Sequence, residues 1–179
     1  GLADGGWGAT AVADVLPAKL PSPDAPSFIR FPAKARLTDA GRRSLLTRLD
    51  LDDAANRATW AEMPDVADFQ YPDEPKPGAV TLLEAEVQGG YEPLLVHQRY
   101  GLGNAYILAT GGTWRWQMLL HHEDQRHETF WRQLLQTIAA ASPRNVTLTT
   151  DRSFYGDESR IALRAEVRDK TFKPARDAT

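Results

Sequence analysis

The chain has 179 residues, 42% hydrophobic and 25% charged, a balance that fits a globular protein with a real core and excludes a disordered chain. A formal charge of −3 and a sequence pI of about 5.8 weigh against nucleic-acid binding, which calls for a basic face. The absence of cysteine removes disulfides, thiolate metal sites and a cysteine nucleophile from this chain, and no apolar run reaches the ~18–20 residues that span a bilayer.

The chain opens with a glycine-rich loop around Trp7. "TAVADVLPAKLP" follows, a short apolar stretch closed by Pro17, and Pro21, Pro23 and Pro26 then forbid a regular element. "SFIRFPAKARLT" reads as extended chain ending in a turn at Asp39-Ala40-Gly41. "LDLDDAANRATWAEMP" carries helical signals: Asp52 or Asp53 caps the start, Ala54, Ala55 and Ala58 favour the helix, and Pro64 stops it. The proline-rich residues 64–79 read as a surface loop.

Three strands come next, "AVTLLEAEV", "EPLLVHQRY" and "NAYILAT", the last two joined through Gly101-Leu102-Gly103 as a hairpin. Leu94-Leu95-Val96 and Tyr106-Ile107-Leu108 are continuous apolar runs, which suit strands covered on both faces; with the hairpin, this predicts a mixed sheet flanked by helices. From Asp124 to Ala141 the period changes to 3.6, with Phe130, Trp131, Leu134, Leu135 and Ile138 on one stripe. Ser142-Pro143 ends that helix. "NVTLTT" and "RIALRAEVRD" then alternate as half-exposed strands around a turn near Tyr155-Gly156-Asp157. The architecture changes there, so residues 1–142 read as a mixed α/β domain and 143–179 as an all-β segment.

The stretch "ATGGTWRWQMLLHHED" concentrates the candidate site residues. Gly111, Gly112, Trp114 and Arg115 could form a ligand surface in which aromatics hold a small molecule and Arg115 its carboxylate or phosphate. Against that stands a packing reading, in which Trp114 and Trp116 cover the end of the sheet and Arg115 is solvated. His122 and His127 are spaced i, i+5; on a helix they point about 140° apart, so a zinc pair at i, i+4 is not formed and no metal is expected. "GGWG" and "GLGN" lack the strand–loop–helix setting of a phosphate cradle. Glu84 and Glu86 share a strand face and read as an exposed edge, not an acid/base pair. No cofactor is implied.

The order of motifs carries a resemblance. "GGWGATAVADVLPAKLP", "ARLTDAGRRSLLTRLD", "NRATWAEMPDV", "KPGAVTLLE", "PLLVHQRYGLGNAYILATGGTWRW" and "HETFWRQLLQTIA" together resemble the C-terminal part of the glutamine amidotransferase-like domain of large bacterial membrane proteins, over roughly residues 1–141. The resemblance implies a flavodoxin-like, class I amidotransferase-like α/β fold. It also implies a histidine and a glutamate just after a late strand, with the nucleophile on an earlier one. The late-strand exit here reads Thr110-Gly111-Gly112-Thr113-Trp114, so the catalytic histidine is not carried over; His121 and Glu123, further on, are the weak candidates. The tail resembles the opening of an immunoglobulin-like or macroglobulin-like sandwich, which favours the periplasmic side of a membrane-anchored protein. The functional expectation is a non-catalytic module for interaction or scaffolding. The alternatives are a hydrolase or amidotransferase with its nucleophile upstream of residue 1, and a small-ligand sensor. Partners are then proteins or other domains of the same chain, with no nucleic acid and no membrane contact. If upstream strands are missing, self-association or a rearranged sheet is expected.

Overall fold

The computed structural model describes residues 2–142, 144–151, 156, 160–169 and 171–175, which divide into two compact units, Gly1–Ala141 and Ser142–Thr179. In the first unit, a short helix α1 (Ala11–Val15) precedes β1 (Phe28–Ile29) and β2 (Lys34–Leu37). Two helices follow, α2 (Asp39–Arg43) and α3 (Asp53–Glu62), then the short β3 (Phe69–Gln70). The long strands are β4 (Val80–Val87), β5 (Gly90–Tyr100) and β6 (Gly103–Leu108), and the unit closes with α4 (Trp114–Leu119) and α5 (Arg126–Ala140).

The main sheet has the order β2-β4-β5-β6, and every neighbouring pair in it is antiparallel. The small β1-β3 pair is antiparallel too. This overturns the flavodoxin-like, class I amidotransferase-like sheet expected from the sequence, which would be mainly parallel. The expectation failed for a physical reason. Leu94, Leu95 and Val96 are all fully buried, so the strand is covered on both faces as the apolar run implied. Cover on both faces does not set strand direction; the connections do. Gln88-Gly89 joins β4 to β5 as a two-residue loop with both φ positive (51° and 82°), and Gly101-Leu102 joins β5 to β6 with Gly101 at φ 57°. Loops of two residues permit only antiparallel neighbours.

Capping explains the first helices. The Thr38 side chain accepts from the Gly41 N–H at 2.9 Å, so Thr-Asp-Ala-Gly starts a helix where the sequence reading placed a turn. Gly41 must be glycine for a second reason: a Cβ there would lie 2.0 Å from the Leu82 carbonyl oxygen of the sheet beneath. Asp52 caps α3 by accepting from the Ala55 N–H at 2.8 Å. The helices then bury aromatics together. Trp60, Trp116 and Phe130 meet edge to face at centroid distances of 5.8, 5.9 and 5.3 Å, each such pair worth about 0.5–1.5 kcal/mol beyond its buried area. Both indole N–H groups are satisfied at 2.8 Å, Trp60 by the Thr47 carbonyl and Trp116 by that of Pro64.

The stripe on α5 divides. Phe130 and Leu134 enter the core, whereas Leu135 is 59% exposed. In the second unit, β7 (Val146–Thr150) pairs antiparallel with β8 (Leu163–Val167). That two-stranded ladder is what the described residues of this unit show. Pro143, and Tyr155 and Asp157 of the expected turn, lie outside the described residues.

Candidate functional site

An open cleft of about 580 Å3 lies over the β2–β4 end of the sheet, between α2 and α3. Its floor is set by strand register: Arg36 stands opposite Glu84, and Lys34 opposite Glu86. The alternation Lys-Ala-Arg-Leu against Leu-Glu-Ala-Glu puts the charged residues on one face and Ala35, Leu83 and Ala85 among the buried residues. β4 is therefore not an edge strand, and Glu84 and Glu86 are not an exposed edge as the sequence reading had them.

The walls carry more charge. Lys34 Nζ donates to the Met63 carbonyl where α3 ends, a favourable place for a cation because the helix dipole is negative there. The Arg36 guanidinium lies 4.2 Å over the Tyr91 ring. Arg42 reaches Asp39 at 3.2 Å, with its Nε 4.0 Å from Asp53, and Arg57 approaches Asp53 at 3.7 Å. That Arg42 Nε is buried and makes no hydrogen bond among the described residues, a costly state for a guanidinium N–H. Four cations (Lys34, Arg36, Arg42, Arg57) stand with the carboxylates Asp39, Glu84 and Glu86, and Asp53 pairs with Arg42 and Arg57, so the charges balance and the cleft suits a small polar ligand. The signal for it in the sequence was the paired charge alternation at 34–36 and 84–86.

The residues singled out from the sequence are not brought together in that cleft. Gly111 and Gly112 lie where the chain leaving β6 runs beside residues 67–68. Asp68 Oδ1 accepts from the Gly111 N–H at 2.9 Å and from the Thr110 hydroxyl at 3.1 Å, and Thr110 Oγ1 in turn accepts from the Gly112 N–H at 2.8 Å. The Ala67 N–H donates to the Gly112 carbonyl at 3.1 Å. Polar groups that a ligand would use are thus engaged within the chain.

Trp114 and Trp116 do not act as a pair. They sit on α4, where i and i+2 are about 200° apart, so Trp116 is fully buried while Trp114 is 55% exposed. The sequence reading, which placed both over the sheet, missed this six-residue helix. Arg115, between them, is half-buried.

His121 and Glu123 stand on the exposed turn before α5, with His121 Nδ1 4.0 Å from Glu123 Oε2 and side chains 69% and 80% exposed. His122 leans on His121, and His127 on α5 meets Gln117 at 3.0 Å. The anchor of this turn is Asp124, which accepts the Arg126 N–H at 2.9 Å and binds its guanidinium at 2.6–3.0 Å. Hydrogen bonding to Arg126 holds the Asp124 carboxyl below the usual carboxylate range and raises the Arg126 guanidinium. The fourth histidine was not singled out from the sequence. His97 on β5 stacks on Tyr106 of β6 at 5.6 Å, and its buried Nδ1 has no partner among the described residues. Burial lowers the His97 pKa and raises that of Tyr106.

Among solved structures, the chain is similar to the cytoplasmic protein STM1381 from Salmonella typhimurium LT2, at 24% identity and a TM-score of 0.54, over 74% of this chain and 47% of that one. It is similar also to the cytoplasmic protein STM3548 from Salmonella typhimurium, at 16% identity and a TM-score of 0.52, with the same two coverages of 74% and 47%. The likeness is one of fold. The chain spans about half the length of these structures. No family model matches the chain, and no curated protein matches it.

These neighbours also correct the expected location. Both are described as cytoplasmic proteins, which overturns the extracytoplasmic assignment. That assignment leaned on the resemblance of the tail to an immunoglobulin-like or macroglobulin-like sandwich, and a likeness of fold does not set compartment. No helix among the described residues is long and apolar enough to cross a membrane.

Proposed function

We infer that this chain is a non-catalytic module, amidotransferase-like in sequence, that acts in interaction or scaffolding. One observation carries the reading. Leu51 is 93% exposed and Leu45 71% exposed, and both line a groove of about 530 Å3 against α5. In that groove Gln133 donates to the Arg48 carbonyl at 2.6 Å, while its buried Oε1 has no partner among the described residues. Two solvated leucines in one groove form a surface suited to an apolar segment of a partner protein. The exposed setting of His121 and Glu123 supports a solvated turn over a catalytic pair.

The test uses Leu51→Glu. A partner is captured with the full chain, purified, and its affinity measured again. The expected result is at least a tenfold weaker Kd with an unchanged melting temperature, because a side chain that exposed contributes little to stability. An unchanged Kd overturns the reading. So does ammonia release from glutamine that His121→Ala abolishes, which favours the enzyme alternative. A second reading, a small-ligand sensor, is favoured by the unpartnered Arg42 Nε in the charged cleft. Melting the chain with millimolar phosphate or citrate separates the two: a rise lost in Arg42→Gln moves the assignment to the cleft.

A further inference from the structure

The two edges of the main sheet are built differently. β2 carries Lys34 and Arg36, and charged side chains are a common protection of a free edge. β6 reads Gly-Asn-Ala-Tyr-Ile-Leu, with no charge and no proline, and it pairs with β5 from Tyr100↔Gly103 to Leu95↔Leu108 without a register shift. Nothing in it blocks another strand.

Its hydrogen-bonding groups can be assigned to sides. The Ala109 N–H donates to the Leu94 carbonyl at 2.7 Å, so antiparallel alternation turns the backbone groups of Ile107, Ala105 and Gly103 toward β5. Those of Leu108, Tyr106 and Asn104 then face away from β5, and no partner for them occurs among the described residues. β6 carries apolar side chains on both faces of the sheet, with the exposed Asn104 near its start. Ala105 and Ile107 are buried on one, and Tyr106 and Leu108 are half-buried on the other, with Tyr106 stacked on His97. Such a strand belongs inside a sheet, not at its margin.

The similar solved structures indicate where a neighbour comes from. Each matches this chain over only 47% of its own length, so folds of this kind contain about as much chain again. We propose that β6 is an internal strand of a larger sheet, its outer edge paired by an extended apolar segment of about five or six residues from polypeptide outside residues 1–179. That segment carries apolar residues in succession, because it is covered on both faces. The Asn104, Tyr106 and Leu108 backbones supply its ladder. This goes beyond the interaction reading and does not rest on it, since the groove at Leu45 and Leu51 is lined by different elements.

The experiment is amide hydrogen exchange over residues 103–109, in the 179-residue chain at a concentration where it sediments as a monomer and in the full product of its reading frame. In the 179-residue chain the Asn104, Tyr106 and Leu108 amides are expected to exchange quickly and those of Ala105 and Ile107 slowly. In the full product the three outer amides are expected to slow at least 100-fold. Asn104→Pro removes one outer N–H while keeping every bond to β5. It should leave the melting temperature of the 179-residue chain unchanged and reduce the protection of Tyr106 and Leu108 in the full product. Fast exchange in both forms overturns the proposal, as does a full product that ends at residue 179. Protection that appears only as the 179-residue chain doubles in mass overturns it as well, and names a second copy as the occupant. Full protection in the full product despite Asn104→Pro also counts against it.

Discussion

Replacing Gly112 with alanine tests whether the double glycine after β6 serves packing or ligand binding. A Cβ on Gly112 would stand 2.4 Å from the Ala67 backbone nitrogen and 2.8 Å from both the Ala67 Cβ and the Asp68 nitrogen. The obstacle is backbone, so no rotamer change relieves it; the 110–112 segment has to move away from 67–68 by about 1 Å. Such overpacking costs about 1–3 kcal/mol. The movement also weakens the Ala67 N–H bond to the Gly112 carbonyl and the Gly112 N–H bond to Thr110, at roughly 0.5–1.5 kcal/mol each. Together the loss is about 2–6 kcal/mol. For a chain of this size that lowers the melting temperature by roughly 4–24 °C.

The neighbouring residue is the control. A Cβ on Gly111 would find its nearest atoms, the Asp68 carboxylate oxygens, at 3.9 and 4.0 Å, which is ordinary contact. Gly111→Ala is therefore expected to be neutral, or to stabilise by up to about 0.5–1 kcal/mol through the unfolded state. Urea unfolding followed by tryptophan fluorescence reads both, because Trp60 and Trp116 are buried in the same unit. If Gly112→Ala stays within about 0.5 kcal/mol of the parent, the close-approach argument is wrong. Two glycines serving a ligand would instead give two variants that fold normally, and that result would return the ligand reading to this loop.

Two further predictions concern pH. Burial lowers the folded-state pKa of His97, so the unfolded chain takes up the proton more readily, and stability is lost as pH falls below about 6.5, the ordinary value for histidine. His97→Phe keeps the stack on Tyr106 and removes the unpartnered Nδ1, so it should be at least as stable as the parent at pH 7.5 and gain on it at pH 5.5 in urea melts; an equal difference at both pH values would refute the assignment. The Asp124 carboxyl is depressed by Arg126, so its contribution is present above the unfolded value of about 3.9 and disappears as pH falls through the folded one. Asp124→Asn should cost on the order of 1–2 kcal/mol at pH 7 and progressively less as the pH falls below about 3.9, and a cost that does not shrink in acid would mean that the carboxylate charge is not what holds the turn.

How much of this was legible in the sequence depended on the range of the signal. The strands β4, β5 and β6 and the helix after Asp124 stand close to where period and turn residues placed them, because hairpin loops and amphipathic stripes are local. α4 was not legible: at six residues it offers fewer than two turns of period, and Trp114-Arg115-Trp116 fits a strand's alternation as well as a helix. The difference matters for the site, since one conformation places both indoles on one surface and the other buries Trp116 and exposes Trp114. His97 was passed over because its burial arises from β6 and Tyr106 across the hairpin. The charged cleft was half legible. Glu84 and Glu86 could be put on one face, but their neighbours Arg36 and Lys34 lie about 50 residues away and meet them only through the β2–β4 register.

The apolar runs of β5 and β6 carried the largest error, and its cause bears on what the chain does. Residues buried on both faces are common to parallel sheets, and the fold expected from the resemblance shares that composition, so run and resemblance appeared to agree. The two-residue loops override both, since they leave no room for a crossover. Yet antiparallel pairing alone does not account for β6. At the margin of a finished antiparallel sheet, selection favours charge, proline or a bulge, and β2 has two charges in four residues whereas β6 has none in six. A hairpin strand with the composition of a sheet interior is therefore consistent with local antiparallel pairing on one side and a further strand on the other. A sheet that continues beyond β6, as proposed, would satisfy both the observed register and the composition of that strand.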